Sequence, residues 1–144
     1  MIPDVNVLVA AFRADHSCHD TARAWLSQAR YDCAQGRETL ALIPMVVTGF
    51  LRLVTNSRVF TNPDSVEDAI AFMDVMLESP GVELRACGDE WPLLRNMLLT
   101  LGLQGNFITD AWIASTVQAL SEHLVTFDRD FARLLPPRDL TLLS

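Results

Sequence analysis

Five short apolar segments, separated by stretches whose apolar residues recur every three or four positions, leave this chain few folds to choose from. Residues 2–9 form the first, interrupted by Asp4 and Asn6; residues 40–43, 82–84, 123–127 and 140–143 follow. Between them, Ala22, Trp25, Leu26 and Ala29 mark one helical face within residues 17–30, with Ser17 placed to cap its start. Pro44 opens a helix carrying Val46, Val47, Phe50, Leu51 and Val54, at a position where the missing N–H has no intrahelical partner to lose. Ser65 and Asp68 have capping-box spacing ahead of a helix through Ile70, Met73 and Leu77. A helix over residues 89–101, with Pro92 in its first turn, ends at Gly102, and Thr109 is placed to cap another running to Leu120. After the fourth strand, residues 130–135 read as a short helical turn ended by Pro136 and Pro137. Strands alternating with helices predict an α/β fold, its central, mostly parallel sheet of four to five strands covered on both faces. Pro3 sits awkwardly, because it has no ladder donor; pairing of the first strand is expected to start at or beyond it.

In such folds, sites form at the carboxyl ends of the strands. Three acids stand there. Asp4 lies in the first segment, Asp110 at the start of the helix Ile-Thr-Asp-Ala-Trp-Ile-Ala, and Asp128 directly after the strand His-Leu-Val-Thr-Phe. An acid inside an apolar strand is unfavourable unless paired, hydrogen-bonded or metal-bound. One in a helix's first turn is held ionised by the dipole. Asp110 alone is an ordinary helix-start acid, and Asp128 alone an ordinary turn residue. As a converging set without His or Cys, they suit a hard cation such as Mg²⁺ or Mn²⁺, with phosphodiester hydrolysis as the matching chemistry.

Composition narrows the alternatives. The 144 residues are enough for one domain, residues 1–144, with no internal repeat or linker. All eleven basic residues are Arg, so mechanisms needing a lysine are excluded: a Walker-A phosphate loop, a Schiff base, a receiver-domain phosphorylation site. A net charge of −7 rules out polyanion binding by bulk charge; a nucleic-acid substrate would need divalent cations or local arginines. Cys18, Cys33 and Cys87 are odd in number and lack a Cys-x-x-Cys pair, so they read as apolar filler. With no basic-then-apolar leader and no spanning run, a cytoplasmic protein without a membrane role is expected. The His16-Ser-Cys-His19 cluster reads as a helix-start turn rather than a zinc site. Trp25, Trp91 and Trp112 are expected in the core.

Three stretches carry a family resemblance: Asp-Val-Asn-Val-Leu near the N-terminus, Thr-Asp-Ala-Trp-Ile-Ala late, and Thr-Phe-Asp-Arg-Asp-Phe some fifteen residues on. Together they resemble PIN-domain proteins, and Phe-Leu-Arg-Leu-Val-Thr-Asn-Ser-Arg-Val-Phe at residues 50–60 is similar to VapC-type toxins of toxin–antitoxin pairs. The similarity spans essentially the whole chain. It implies a three-layer α/β/α domain and a Mg²⁺- or Mn²⁺-dependent endoribonuclease. It also implies inhibition by a VapB-type antitoxin, which would cover the acidic cleft with an arginine in place of the metal, and a homodimer. By position, Asp4, Asp110 and Asp128 match the family's catalytic, metal-binding acids, with Asp130 as an accessory. Asn6 matches the residue that supports the first acid, and Thr126 the hydroxyl before the last. Arg52, Arg58 and Arg129 flank these motifs as candidates for phosphate contact.

One position departs. Many PIN domains carry Glu just before Phe-Leu-Arg, where this chain has Gly49, although one branch of the family commonly lacks an acid there. The loss leaves fewer carboxylates and favours a single tightly held ion, or a second ion recruited only with substrate, over two resident metals. Asp89 and Glu90 are the acids that could compensate. The rival reading is a catalytically weakened PIN scaffold that binds RNA or antitoxin without cutting. A haloacid-dehalogenase-type phosphohydrolase is disfavoured, because the first strand reads Asp-Val-Asn rather than Asp-x-Asp.

Overall fold

A computed structural model describes residues 1–144. Five strands, β1 (Ile2–Pro3), β2 (Leu40–Leu42), β3 (Val82–Leu84), β4 (Leu124–Thr126) and β5 (Leu140–Leu142), alternate with six helices. The helices are α1 (Val5–Phe12), α2 (His19–Ala34), α3 (Pro44–Val54), α4 (Val66–Leu77), α5 (Trp91–Leu101) and α6 (Phe107–Ala119). A 3₁₀ turn, Arg129–Arg133, follows β4. Every pairing is parallel: β1 with β4, β4 with β5, and β2 with β3. The strands form a three-stranded sheet, β1-β4-β5, and a separate two-stranded sheet, β2-β3, rather than one sheet of four to five strands; the Ala41 N–H donates to the Met1 carbonyl at 2.8 Å and sets β2 beside the start of β1. This is the expected α/β architecture. No helix is long and apolar enough to cross a membrane.

Pro3 does not delay the pairing as expected. Ile2 N–H donates to the His123 carbonyl (2.7 Å) and Asp4 N–H to the Val125 carbonyl (2.9 Å), so pairing with β4 begins before the proline. Successive residues of a parallel strand aim their N–H groups at opposite neighbours, and the donor that Pro3 lacks points away from β4.

The first segment needs the largest correction. Residues 2–9 are not one strand: the chain leaves β1 at Pro3 and is helical from Val5. Val5, Val7 and Val9 favour a strand by propensity, but tertiary burial overrides them, since Val7, Leu8, Val9, Ala10 and Ala11 are all buried. Two caps also differ. The residue before α2 is Cys18, which makes no side-chain cap bond, and α6 starts at Phe107, so Thr109 lies inside the helix. Ser65 does cap α4, its Oγ accepting from the Asp68 N–H, and Gly102 ends α5 in the left-handed conformation.

The core is aliphatic around the sheet, with Ile2, Leu40, Leu42 and Leu124 fully buried. Phe12, Phe50 and Phe72 form an aromatic knot with ring centroids 5.1–5.4 Å apart, binding α1, α3 and α4 together. Trp25 packs partly buried against this core, but Trp91 and Trp112 are 62% and 43% exposed, contrary to expectation. On α6, burial is taken by Ala111, Ile113, Ala114 and Val117, which leaves the Trp112 ring to project from the helix.

Candidate active site

Asp4, Asp110 and Asp128 line one cleft of about 920 Å³, together with Asn6, His16, Thr48, Gly49 and Arg52. Each acid sits at the start of a helical segment. Asp4 ends the first strand and caps α1, Asp110 is in the first turn of α6, and Asp128 caps the 3₁₀ turn after β4, its Oδ1 accepting from the Asp130 N–H at 2.8 Å. Helix starts present N–H groups and a positive dipole end, so three carboxylates can share one cleft.

Asp4 is the most constrained. It is 5% exposed; Oδ1 accepts from the Val5 N–H (2.7 Å), and Oδ2 accepts from Asn6 Nδ2 (2.9 Å) and the Thr126 hydroxyl (2.6 Å). Asn6 is held in turn, its Oδ1 accepting from the Phe127 N–H at 3.2 Å. Thr126 Oγ1 also accepts from the Asp128 N–H at 3.0 Å, so one buried hydroxyl ties the first acid to the backbone of the last. Asn6 and Thr126 thus both hydrogen-bond the first acid.

Burial pushes the Asp4 carboxyl up to about 6, and the nearby Asp110 and Asp128 charges add to this, while the Thr126 hydroxyl and Val5 N–H act in the opposite direction. Asp110 is also raised, first by burial and then by Asp128 and Asp130. Asp130 is exposed and does not line the cleft; its charge reaches the cleft only by adding to the rise of Asp110. Mutually repelling, partly desolvated carboxylates are the environment in which a divalent cation is most favourable.

The donor set fits a hard ion, all oxygen, with unused lone pairs on Asp110 and Asp128. No three His, Cys, Asp or Glu side chains are close enough to hold an ion together directly. Water molecules would complete the coordination, as Mg²⁺ commonly requires. His16 and His19 form no zinc site: His16 Nδ1 accepts from the Cys18 N–H, and His19 Nδ1 is 2.8 Å from the Ala10 carbonyl.

Of the three arginine candidates, only Arg52 reaches the cleft; Arg58 and Arg129 are exposed and lie outside its lining. Gly49 has a steric cause. A Cβ there would stand 2.8 Å from Val5 Cγ2, so the first residue of α1 fills the space that a longer side chain would need. Neither Asp89 nor Glu90 compensates, for neither lines this cleft.

Glu90 instead faces an adjoining pocket of about 220 Å³ with Cys87, Trp112 and Thr116. Its Oε1 accepts from Trp112 Nε1 at 3.4 Å, and its Oε2 is buried with no hydrogen-bond partner. Contact with Cys87, its own backbone and Trp112 hold its carboxyl below the usual range. Sequence reasoning missed Trp112 as a cleft residue. No local spacing signals it, because a residue two positions after Asp110 lies about 200° around the helix axis.

Comparison with known proteins agrees with this geometry. Residues 1–134 match the PIN domain family. Ribonuclease VapC43 of Mycobacterium tuberculosis is 38% identical over 131 residues, covering 90% of this chain and 86% of that protein. Ribonuclease VapC25 of the same organism is 35% identical over 141 residues, 95% of this chain and 94% of that one. Among solved structures, VapBC2 from Rickettsia felis, bound to a DNA fragment from its promoter, superposes with a TM-score of 0.68 at 22% identity, covering 99% and 98% of the two chains. Matched over nearly its whole length, the chain belongs to the PIN-domain family and, within it, to the VapC ribonucleases.

Proposed function

We propose that this chain is the toxin of a toxin–antitoxin pair, an endoribonuclease that hydrolyses RNA phosphodiesters with Mg²⁺ or Mn²⁺ held, directly or through water, by Asp4, Asp110 and Asp128. The observation that carries it is the convergence of these acids on one cleft, with Asp4 locked by Asn6 and Thr126. When bound, the ion would lower the pKa of the attacking water and offset charge on the phosphate. Asp4, fixed on both oxygens, orients that position; Asp110 and Asp128 supply the remaining carboxylate charge. Arg52, at the edge of the cleft, contacts the substrate phosphates.

The partner is a VapB-type antitoxin whose arginine enters the acidic cleft in place of the metal. The ribonuclease names of the relatives and the VapBC pairing of the structural neighbour support this. The toxin acts in the cytoplasm, and exposed Trp91, Leu99 and Leu101 on α5 offer apolar surface for a second copy.

The test is cleavage of structured and unstructured RNA by partner-free protein with Mg²⁺, Mn²⁺ or EDTA, beside Asp4→Asn and Asp110→Asn. Cleavage is expected only with a divalent ion and is expected to fall at least a hundredfold in either variant. Metal-independent cleavage, or wild-type rates in both variants, would overturn the mechanism. The binding-only alternative rests on Gly49. It loses force because Val5 fills that space while the other acids remain in place.

A further inference from the structure

Resting on the reading of the cleft as an RNA site, we propose that His16, with Thr48 and Arg52, forms a second phosphate subsite that holds the RNA backbone away from the cut. The three side chains line the same cleft as Asp4, Asp110 and Asp128. Thr48 and Arg52 stand four residues apart on α3 and so share one face of that helix. His16 lies in the turn that follows α1, whereas Asp4 caps the start of that helix. Eight residues of helix, about 12 Å, separate the two. Val5 and Val9, one turn apart, line the stretch between them. This geometry sets His16 toward a neighbouring phosphate rather than the scissile one.

The donors on this side of the cleft are unused. Arg52 takes part in none of the molecule's ion pairs, although three acids line the same cleft and the chain carries a net charge of −7. It is therefore held clear of those acids, and its guanidinium is free for an outside anion. The Thr48 hydroxyl, exposed one turn before it, has no partner within the protein. The other side-chain N–H groups of the cleft, on Asn6 and Trp112, already donate to Asp4 and Glu90.

His16 is oriented for the same task. The Cys18 backbone nitrogen lies 3.1 Å from its Nδ1. A backbone N–H can only donate, so Nδ1 accepts and the neutral ring carries its proton on Nε2. With Nδ1 directed into its own turn, Nε2–H is the one polar group His16 has left to offer the cleft. A phosphodiester presents two unbridged oxygens that share one negative charge and can only accept, the complement of a hydroxyl, a guanidinium and a ring N–H. Such contacts fix the register of the strand and carry no sequence information.

Cleavage of a single-stranded RNA by the full chain with Mn²⁺ tests this. His16→Phe, which keeps a ring but loses the donor, is expected to raise KM about tenfold and to leave kcat within about twofold. His16→Gln, which carries an N–H donor at a similar reach, is expected to recover most of the loss. The same RNA is then made with one uncharged methylphosphonate at each position in turn. Wild type is expected to show two sensitive positions, the cut and another near it, the second costing about tenfold. In His16→Phe the second penalty is expected to fall to about twofold or less, while that at the cut stays. A residue that only shapes the fold would slow every RNA equally.

Wild-type KM in His16→Phe, or a wild-type scan with no sensitive position besides the cut, overturns the subsite and leaves the nuclease reading standing. The scan needs no variant, so it decides even where His16→Phe folds poorly. If no RNA is cut, the nuclease reading fails, and fluorescence anisotropy of the same methylphosphonate RNAs on wild type and His16→Phe decides the subsite by the same pattern. Glutamate-rich peptides whose binding falls in His16→Phe while RNA binding does not would assign these donors to a protein partner and overturn it as well.

Discussion

At the scale of single residues, Asp4 carries two loads: it caps α1 and it faces the cleft. Its carboxyl, at about 6, sits well above the 3.8 of an unperturbed aspartate. Between those values the folded protein holds a proton that the unfolded chain has released. The stability contributed by the protonated group is full below pH 4 and is lost as pH rises through 6. Ionised Asp4 thus costs the metal-free protein on the order of 3 kcal/mol at pH 7.5. Asp4→Asn is expected to melt a few degrees above wild type in EDTA at pH 7.5, an advantage that falls to about a third at pH 4.5 and disappears below pH 4; scanning calorimetry at pH 7.5, 4.5 and 3.5 checks this. Thr126→Val removes the hydroxyl that opposes this rise. The acid limb of the cleavage profile is then expected to move to higher pH, and the rate at pH 7 to fall about tenfold or more. Thr126→Ser, which keeps the hydroxyl, should restore both; a valine variant with an unmoved profile would show that Thr126 only fills space.

At the scale of elements, the contact between α1 and α3 explains both the local sequence and its departure from the family. Val5 is β-branched and stiff, so a Cβ at position 49, 2.8 Å from its Cγ2, has little room. Gly49→Ala ordinarily gains about 1 kcal/mol of helix propensity. Here it is expected to lose about 1–2 kcal/mol from overpacking, and the loss should reverse in the double variant with Val5→Ala. Denaturant melts of the four proteins of the cycle measure it. A stabilised single variant would show that the helices separate without penalty. Periodicity made α3 and α4 legible in the sequence, each with a recognisable start signal, Pro44 or Ser65, although the buried residues of α4 are Ala69, Met73 and Met76 and the expected Ile70 is exposed. It failed at α1, where burial on nearly all sides removes the 3.6-residue signal and the valines imitate a strand. The three acids were legible because their chemistry stands out from apolar surroundings. The exposure of Trp112 was not, because it depends on which residues of α6 pack inward against the rest of the fold, which no local spacing reveals.

At the scale of the whole molecule, the proposed function has a chain of net charge −7 without lysine bind a polyanion through a cleft that itself carries three acids. Arg52 is the one arginine lining that cleft, so on this proposal a divalent ion would link the carboxylates to the phosphate. Folding and metal binding would then be coupled. Repulsion among Asp4, Asp110 and Asp128 destabilises the metal-free fold, and a cation that binds only when the three converge stabilises it by mass action. At one hundred times its dissociation constant, such an ion contributes about 2.7 kcal/mol, which in a domain of this size raises the melting temperature by on the order of 8 °C. Mn²⁺ is expected to give a shift of this kind in wild type and little or none in Asp4→Asn or Asp110→Asn. The shift should also shrink from pH 7.5 to pH 5, because below about 6 the ion must displace a proton from Asp4. Differential scanning fluorimetry of the three proteins, with EDTA as the reference, separates this from a generic salt effect, which would move all three equally and ignore pH. Equal shifts in wild type and Asp4→Asn would place the cation elsewhere on the acidic surface and remove Asp4 from the metal centre.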